Sequence, residues 1–383
     1  MGKASETEST SCFLYRRIVI KVGTNVLTAG TDRLDLEVMA GLVGQIARMH
    51  ERGLEIILVS SGAIAAGRHQ LSRTRKVQGI PRKQVLAAVG QSRLMQAWDQ
   101  LFSWHGITVA QTLLSRGDVD DRVHYLNARN TLLALLEIRA IPIVNENDVV
   151  AIDEIRGARF GDNDYLSALV ANLVDADLLV MLTDTGGLFT ADPGRDPEAV
   201  LIPFVERIDS TVEAMAGGSR SGRGTGGMAT KIKAARLAST SGVAAIIAPG
   251  KNNGVLLEII DGARVGTFFA PATSRLEGRK RWMLSGLGRK GEIVVDSGAA
   301  AALREQGRSL LSAGVTQVNG SFERGDIVAV LDGDGHPLAY GIANYSAADL
   351  STIKGRRSEQ IAQLLSSGYG PEVIHRNNLV LAE

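Results

Sequence analysis

Two lysines lie in glycine-containing segments far apart in the chain, and together they suggest phosphoryl chemistry. Lys21 opens the run Lys-Val-Gly-Thr-Asn (21–25), directly at the end of a predicted strand. Lys231 closes the run Gly-Arg-Gly-Thr-Gly-Gly-Met-Ala-Thr-Lys (222–231), which lacks the Gly-Lys-Ser/Thr ending of a Walker A motif. Ammonium groups beside backbone that a ligand can approach closely suit phosphate binding. A solvated lysine and a flexible surface loop are the ordinary alternatives.

Hydroxyl groups and glycine follow a second predicted strand, in the run Val-Ser-Ser-Gly-Ala-Ile-Ala-Ala-Gly (59–67). Ser61 and Gly62 precede a helix whose free N–H groups and positive dipole end favour an anion. The pattern indicates a binding site for an oxyanion or phosphate. The alternative is a Ser N-cap with glycines that allow close packing. A hydrolase centred on Ser61 is disfavoured, because Ser-Ser-Gly-Ala does not match Gly-x-Ser-x-Gly.

Two clusters of acids and amides complete the set of polar strand ends. Asn-Glu-Asn-Asp (145–148) ends one predicted strand, and Phe-Gly-Asp-Asn-Asp (160–164) precedes a helix. Their oxygen atoms would accept hydrogen bonds from a substrate ammonium, although such residues also occur simply for turn geometry. Thr183 and Asp184 follow a strongly apolar strand and could meet a nucleotide. Lysines, glycine-containing turns and acids lie at the ends of the predicted parallel strands. This arrangement favours phosphoryl transfer in which the protein positions the substrates and stabilises charge, without a covalent intermediate.

The elements that would position these residues alternate between strands and helices. Short β-branched runs predict strands over 17–22, 54–60, 108–112, 141–146, 178–183 and 244–247. Apolar residues at three- and four-residue spacing predict helices over 34–52, 64–70, 83–104, 122–139, 164–173 and 228–239. This order is typical of an α/β protein, a three-layer αβα sandwich with a mainly parallel sheet.

The last hundred residues have a different sequence pattern. Short strand-like pieces between glycine turns are predicted over 292–295, 314–318, 326–331 and 338–342, which favours a small β-rich barrel. We therefore predict a flexible extension over 1–15, a catalytic domain over 16–275, a linker over 276–290, a β-rich domain over 291–370 and a tail over 371–383.

Composition limits the classes of function. The 383 residues carry 42 Lys and Arg against 41 Asp and Glu, so no global charge draws the protein to nucleic acid or membranes. The single cysteine, Cys12, cannot form an internal disulfide or a cysteine metal site, which fits a reducing compartment, and we expect a cytoplasmic protein. No apolar run is long enough to span a membrane.

The motifs from residue 17 to residue 265 resemble, in order, those of the amino acid kinase family. Val-Asn-Glu-Asn-Asp together with Phe-Gly-Asp-Asn-Asp is the discriminating pair, and it resembles the members that phosphorylate glutamate. The resemblance implies ATP-dependent phosphorylation of the side-chain carboxylate of L-glutamate at the first step of proline biosynthesis. It also implies Mg²⁺ held mainly by phosphate oxygens, feedback inhibition by proline and a homo-oligomer. Substrates of other members, namely aspartate, N-acetylglutamate and nucleoside monophosphates, are the alternatives within the family.

The resemblance also assigns roles to single residues. Lys21 and Lys231 would hold the transferring phosphoryl group, and Asp164 would orient both lysines. Ser61, Asp148 and Asn163 would bind glutamate, with Asp148 meeting its α-ammonium. ATP would be bound by a larger set: Lys21, Thr183, Asp184, Thr225, Gly226, Gly227, Met228, Ala229, Thr230 and Lys231. The substrate carboxylate is already a nucleophile, so no general base is required, and the protein ligands of a metal stay open.

The segment 291–368 resembles a PUA domain, through Gly-Glu-Ile-Val-Val-Asp-Ser-Gly-Ala-Ala (291–300) and Gly-Asp-Ile-Val-Ala-Val (325–330). Such domains often bind RNA, so an RNA-binding accessory protein is the alternative function. From residue 289 onward nine Lys and Arg face eleven Asp and Glu, which argues against a surface that follows RNA phosphates. Only Lys-Gly-Arg-Arg (354–357) is locally basic, and a solvated turn explains it better. RNA binding is therefore disfavoured.

Overall fold

The structure is a computed structural model that describes residues 15–71, 81–150, 163–216, 227–274, 290–365 and 369–382. Its residues form two compact units. The α/β unit comprises Met1–Arg116 and Leu132–Ala272, and the β-rich unit comprises Gly117–Thr131 and Thr273–Glu383. Cys12 and most of the predicted linker lie outside the described residues. Within the described part of the chain, no helix is both long enough and apolar enough to cross a membrane.

The elements up to residue 272 alternate as predicted. The strands are β1 (Arg17–Val22), β2 (Glu55–Ser60), β3 (Val109–Leu114), β4 (Ile141–Glu146), β5 (Leu178–Thr183), β6 (Phe204–Val205), β7 (Ala244–Pro249) and β8 (Thr267–Phe269). The helices are α1 (Thr24–Leu27), α2 (Leu36–Glu51), α3 (Ala63–Gln70), α4 (Pro81–Ser103), α5 (Arg116–Asp120), α6 (Arg122–Glu137), α7 (Asn163–Leu173), α8 (Ser210–Ala216), α9 (Met228–Thr240) and α10 (Val255–Ile260). The six predicted strands and six predicted helices are confirmed within two residues at each end.

The eight strands form one sheet in the order β3-β4-β2-β1-β5-β7-β8-β6. All strand pairs are parallel except β7 with β8, so the prediction of a mainly parallel sheet is confirmed. From β1 the chain continues to β2 on one side, and from β5 it continues toward β7 on the other. The neighbouring strands β1 and β5 therefore form a topological switch point, where open α/β sheets bind ligands beyond the strand carboxyl ends.

The alternation of side chains along β1 decides which residues reach this edge. Ile18, Ile20 and Val22 pack with α2 and α4 in a buried apolar core on one face of the sheet. Because successive side chains of a strand point to opposite faces, Lys21 points to the other face, where it meets α7. Lys21 pairs in register with Val59 of β2 and Met181 of β5. One strand thus contributes both to the core and to the polar edge.

Two glycines allow the helices α3 and α4 to touch at their backbones. A Cβ atom at Gly67 would lie 1.9 Å from the carbonyl oxygen of Leu86, and one at Gly90 would lie 1.7 Å from that of Ala63. Both distances are impossible for a side-chain carbon. Gly62, which precedes α3, has a φ angle of +101°, a left-handed conformation that glycine adopts readily. These glycines bring α4 against the start of α3, directly after Ser61.

The β-rich unit contains a five-stranded sheet in the order β11-β9-β12-β13-β15 and a two-stranded sheet of β10 and β14. Its strands are β9 (Gly291–Val295), β10 (Leu310–Leu311), β11 (Val315–Gly320), β12 (Ile327–Leu331), β13 (Pro337–Ile342), β14 (Glu372–Ile374) and β15 (Leu379–Leu381). Its further helices are α11 (Ser297–Gln306), α12 (Ala347–Ile353) and α13 (Ser358–Leu364). Residues 371–383, expected to be a tail, instead supply β14 and β15, because Val373, Ile374 and Val380 are buried.

The segment Gly117–Thr131 belongs to the β-rich unit, although its sequence lies inside the predicted catalytic domain. Leu126 of α6 packs against Ile327, Ile342 and Val380 in a buried cluster. Arg129, only 2% exposed, donates from Nε to Oδ1 of Asn378 over 2.5 Å. The predicted boundary near residue 275 therefore does not describe how this segment packs. Its place in the β-rich unit follows from contacts with residues far away in the sequence, which sequence patterns do not show.

Candidate active site

Asp164 is the centre of a charged cluster at the carboxyl end of β1. It lies in the first turn of α7, and its side chain is fully buried. Nζ of Lys21 lies 2.5 Å from Oδ1 of Asp164, and Nζ of Lys231 lies 3.2 Å from Oδ2. The hydroxyl oxygen of Thr230 lies 2.8 Å from the same Oδ2 atom. One carboxylate therefore holds both of the predicted lysines.

The cluster is shielded from water and positively charged overall. Lys21 is 3% exposed and Lys231 is 7% exposed. Burial alone would raise the pKa of Asp164, but the ammonium groups of Lys21 and Lys231 and the Thr230 hydroxyl outweigh burial and hold that pKa well below its ordinary value. Asp164 is thus a carboxylate at neutral pH, and two positive charges face one negative charge. Such a cluster can neutralise an anionic ligand.

The first turn of α9 supplies a second set of donors for an anion. The backbone N–H groups of Thr230 and Lys231 bond to the carbonyl oxygen of Gly227. Those of Met228 and Ala229 belong to the first turn of this 13-residue helix, where N–H groups have no acceptor within the helix. The positive end of the helix dipole adds to the charge of Lys231. Thr225 and Gly226, also predicted to bind ATP, lie outside the described residues.

Asn163 connects the end of β2 to the start of α7. Its Nδ2 atom lies 3.0 Å from Oγ of Ser61, 3.3 Å from the carbonyl oxygen of Ser60 and 3.1 Å from Oδ1 of Asn145. The hydroxyl oxygen of Ser60 accepts a hydrogen bond of 3.0 Å from Nε1 of the buried Trp98 in α4. Two predicted glutamate-binding residues, Ser61 and Asn163, are therefore in direct contact. Helix α4 holds the neighbouring residue Ser60 in place.

Asn145 extends this polar network to α4. It is 2% exposed, and its Nδ2 atom donates to Oε1 of Gln91 over 2.7 Å. Its Oδ1 atom accepts from the backbone N–H of Glu146 over 2.9 Å. Asp148, the third predicted glutamate-binding residue, lies two residues beyond β4 in a turn and is partly buried. The end of β4 therefore faces the same edge of the sheet as the ends of β1 and β2.

Thr183 and Asp184 stand at the end of β5, on the other side of the switch point. Oδ2 of Asp184 accepts from Nδ2 of Asn25 over 2.8 Å, and Oδ1 accepts from the Thr183 hydroxyl over 3.1 Å. Burial alone would raise the pKa of Asp184, but these hydrogen bonds and the charge of Lys231 lower it. The ionised carboxylate of Asp184 thus lies near Lys231 at the end of β5.

A small, mainly apolar cleft is lined from Thr185 onward. Leu188, Phe189, Pro193, Met215 and Met228 contribute to its lining. Met228 opens α9, so the cleft leads from the apolar side chains to the donors of that helix.

As far as the described residues show, no three carboxylates or histidines at this edge come close enough together to hold a metal ion. Both oxygens of Asp164 already face lysines. Among the described residues, one group of three potential metal ligands occurs, Asp332, Asp334 and His336. It lies between β12 and β13 of the β-rich unit, where Asp332 accepts the turn N–H groups of Asp334 and His336.

The structure joins most of the residues that the motifs singled out and adds others. Contacts connect Lys21, Lys231 and Asp164 in one cluster and Ser61 with Asn163 in another. Gln91 and Trp98 of α4 were not predicted, because they lie in an amphipathic helix far from the motifs. The only sequence signal for Gln91 is the glycine before it, which marks a close helix contact.

Known proteins share both regions of the chain. The profile of the amino acid kinase family matches residues 16–249, and that of the PUA domain matches residues 291–365. A glutamate 5-kinase of Dehalococcoides mccartyi strain CBDB1 is 56% identical over 367 residues, which cover 96% of this chain and 98% of that protein. A glutamate 5-kinase of Herpetosiphon aurantiacus is 52% identical over 367 residues, again 96% of this chain and 98% of that protein.

Proposed function

This chain belongs to the amino acid kinase family and carries a C-terminal PUA domain, and from this we infer that it catalyses the glutamate 5-kinase reaction. ATP phosphorylates the side-chain carboxylate of L-glutamate, which gives γ-glutamyl phosphate and ADP at the first step of proline biosynthesis. The observation that carries this proposal is the buried Asp164 with Lys21 and Lys231 at the carboxyl ends of parallel strands. It supplies fixed positive charge where a phosphoryl group would transfer.

Lys21 and Lys231 act on the reaction through charge. ATP supplies the γ-phosphoryl group; an oxygen of the substrate carboxylate bonds to its phosphorus while the bond to the ADP oxygen breaks. Lys21 and Lys231 neutralise the phosphoryl oxygens during this exchange, and Asp164 keeps both ammonium groups in place. Because the carboxylate attacks as an anion, no residue has to remove a proton. All three side chains are buried, so water screens their charges only weakly.

The two substrates approach this cluster from opposite sides. Thr183, Asp184 and the first turn of α9 bind the nucleotide. Ser61, Asn163 and Asp148 bind glutamate. Mg²⁺ would be held mainly by the phosphate oxygens of ATP, because both oxygens of Asp164 already face lysines. Thr225 and Gly226 belong to the same proposed nucleotide loop.

Family membership supports three further proposals. Proline inhibits the enzyme by feedback, the protein assembles as a homo-oligomer, and it works in the cytoplasm. The PUA domain is an accessory in this scheme, and its basic turn at Lys354, Arg356 and Arg357 takes no part in the reaction.

The reaction itself gives the first test. Incubation with ATP, Mg²⁺ and L-glutamate is expected to yield an acyl phosphate that hydroxylamine traps as a hydroxamate, with ADP released in equal amount. Aspartate, N-acetylglutamate and uridine monophosphate serve as competing acceptors in the same assay. Equal or faster turnover of any of these three would contradict the assignment of glutamate.

The role of Asp148 can be separated from the chemical step. Asp148→Ala is expected to raise the KM for glutamate about 10- to 100-fold, because a hydrogen-bonded contact with a charged group is lost. The turnover number should stay nearly constant, since the ammonium contact is made in the ground state and the transition state alike. Steady-state kinetics measure both constants, and the exposed Asp99→Ala on α4 is the matched control. An unchanged KM would remove Asp148 from the glutamate site.

A further inference from the structure

Two buried polar atoms at the glutamate site have no hydrogen-bond partner among the described residues. One is Nε2 of Gln91, which can only donate, and the other is Oδ1 of Asn163, which can only accept. Buried groups of this kind are destabilising when they stay unpaired, so native proteins pair nearly all of them. An unpaired donor and an unpaired acceptor within one network match a ligand that carries both an anion and a cation.

The two atoms are the ends of one chain of three amides. Nδ2 of Asn163 donates to Oδ1 of Asn145, and Nδ2 of Asn145 donates to Oε1 of Gln91. In the order Asn163, Asn145, Gln91, each amide thus presents its nitrogen to the oxygen of the next. The chain leaves a donor at the Gln91 end and an acceptor at the Asn163 end.

Backbone groups fix the direction of this chain. The carbonyl of Ser60 can only accept, so the Asn163 atom that faces it is the nitrogen. The N–H of Glu146 can only donate, so the Asn145 atom that faces it is the oxygen. The remaining nitrogen of Asn145 then requires the oxygen of Gln91. Reversing any one amide would place two donors or two acceptors against each other.

The packing of α4 explains why Gln91 reaches this place. Gly90, its neighbour, lets the backbone of α4 contact Ala63 of α3. Seven residues further along α4, on the same side of the helix, Trp98 bonds to Ser60. Helix α4 therefore contacts both α3 and the end of β2, and Gln91 is held against Asn145 of β4 by rigid elements.

We propose that Gln91 binds the amino-acid substrate: its Nε2 atom donates to the α-carboxylate of glutamate, while Oδ1 of Asn163 accepts from the α-ammonium. This inference rests on the proposed function. The side-chain carboxylate must lie at Lys21 and Lys231, where the phosphoryl group transfers, which leaves the α-carboxylate for the amide chain. Gln91 thus selects substrates with a free α-carboxylate, because a ligand without one leaves its donor unpaired.

Two substitutions of Gln91 separate a substrate contact from a purely structural role. Gln91→Met removes both the donor and the acceptor, and Gln91→Glu keeps an acceptor for Asn145 but turns the donor into a carboxylate. Gln91→Met is expected to raise the KM for glutamate about 10- to 100-fold with little change in turnover number. At pH 8.5, with the introduced carboxyl group ionised, Gln91→Glu should raise the KM further, because it repels the substrate. The exposed Gln100→Met on the same helix is the control.

The opposite ranking would overturn the inference. If Gln91 only holds Asn145, Gln91→Glu will restore near-normal kinetics and Gln91→Met will not. An unchanged KM in both variants, or a loss confined to the turnover number, would also overturn it. Circular dichroism and the KM for ATP establish folding, and if Gln91→Met does not fold, Gln91→Glu decides.

Wild-type turnover of glutamate tests the proposed function independently. If that turnover is absent, the shift in melting temperature that L-amino acids produce in the wild type and in Gln91→Met still tests the binding role. An equal shift in both proteins would then contradict it.

Discussion

Replacing Lys231 with alanine is expected to lower the turnover number about 100-fold or more, with a much smaller change in the KM for glutamate. Lys231 is buried, and its ammonium group lies 3.2 Å from Asp164 at the positive end of α9. A fixed, buried cation stabilises the charge that develops on the transferring phosphoryl group, so its loss acts mainly on the transition state.

The exposed Lys233, two residues further along the same helix, provides the control. Lys233→Ala removes the same charge from the protein but should leave kinetics unchanged. Rapid-quench measurement of a single turnover would show whether the chemical step, rather than ADP release, has slowed. Near-normal turnover in Lys231→Ala would place this lysine outside the machinery of phosphoryl transfer.

Asp164→Asn is expected to damage both stability and activity. It leaves two buried ammonium groups beside each other without a counter-charge, and breaking a buried ion pair on one side costs about 3–5 kcal/mol. Turnover should fall about 100-fold or more, because the lysines would no longer be held in position. Urea unfolding measures the first effect and steady-state kinetics the second. Asp99→Asn, on the surface of α4, is the control.

The pH dependence of stability adds a separate signature of Asp164. Its folded-state pKa lies below its ordinary value, so its stabilising contribution is complete above the unfolded-state pKa of about 3.9. The contribution is lost as pH falls below that value toward the folded-state pKa. The gap in unfolding free energy between wild type and Asp164→Asn should therefore be constant near neutral pH and shrink in acid. A gap that is the same at pH 7 and pH 3 would contradict this account.

The parallel core of the fold could be predicted because its strands are continuous apolar runs. Buried strands such as β5 consist of six buried residues in succession, and their polar ends mark the ligand edge. The short strands β6 and β8 were not predicted, because two or three residues carry no periodicity. β14 and β15 escaped prediction for the same reason.

The residues of the candidate site also differ in whether the sequence alone could point to them. Lys21, Asp164 and Lys231 were predictable since each stands in a motif at the end of a strand or the start of a helix. Gln91 was not, because its contact with Asn145 spans 54 residues and depends on two helices meeting at Gly90. Periodicity describes one element at a time, whereas such a contact is a property of how elements pack.

The segment Gly117–Thr131 has a consequence for how related proteins can be recombined. A chimaera that joins the first 275 residues of this protein to the C-terminal region of a relative would keep Leu126 and Arg129 but replace the residues they pack against, Val380 and Asn378 among them. The start of α6 and the C-terminal strands must therefore be exchanged together, although they are far apart in sequence. A substitution in one of these two segments must be matched by one in the other.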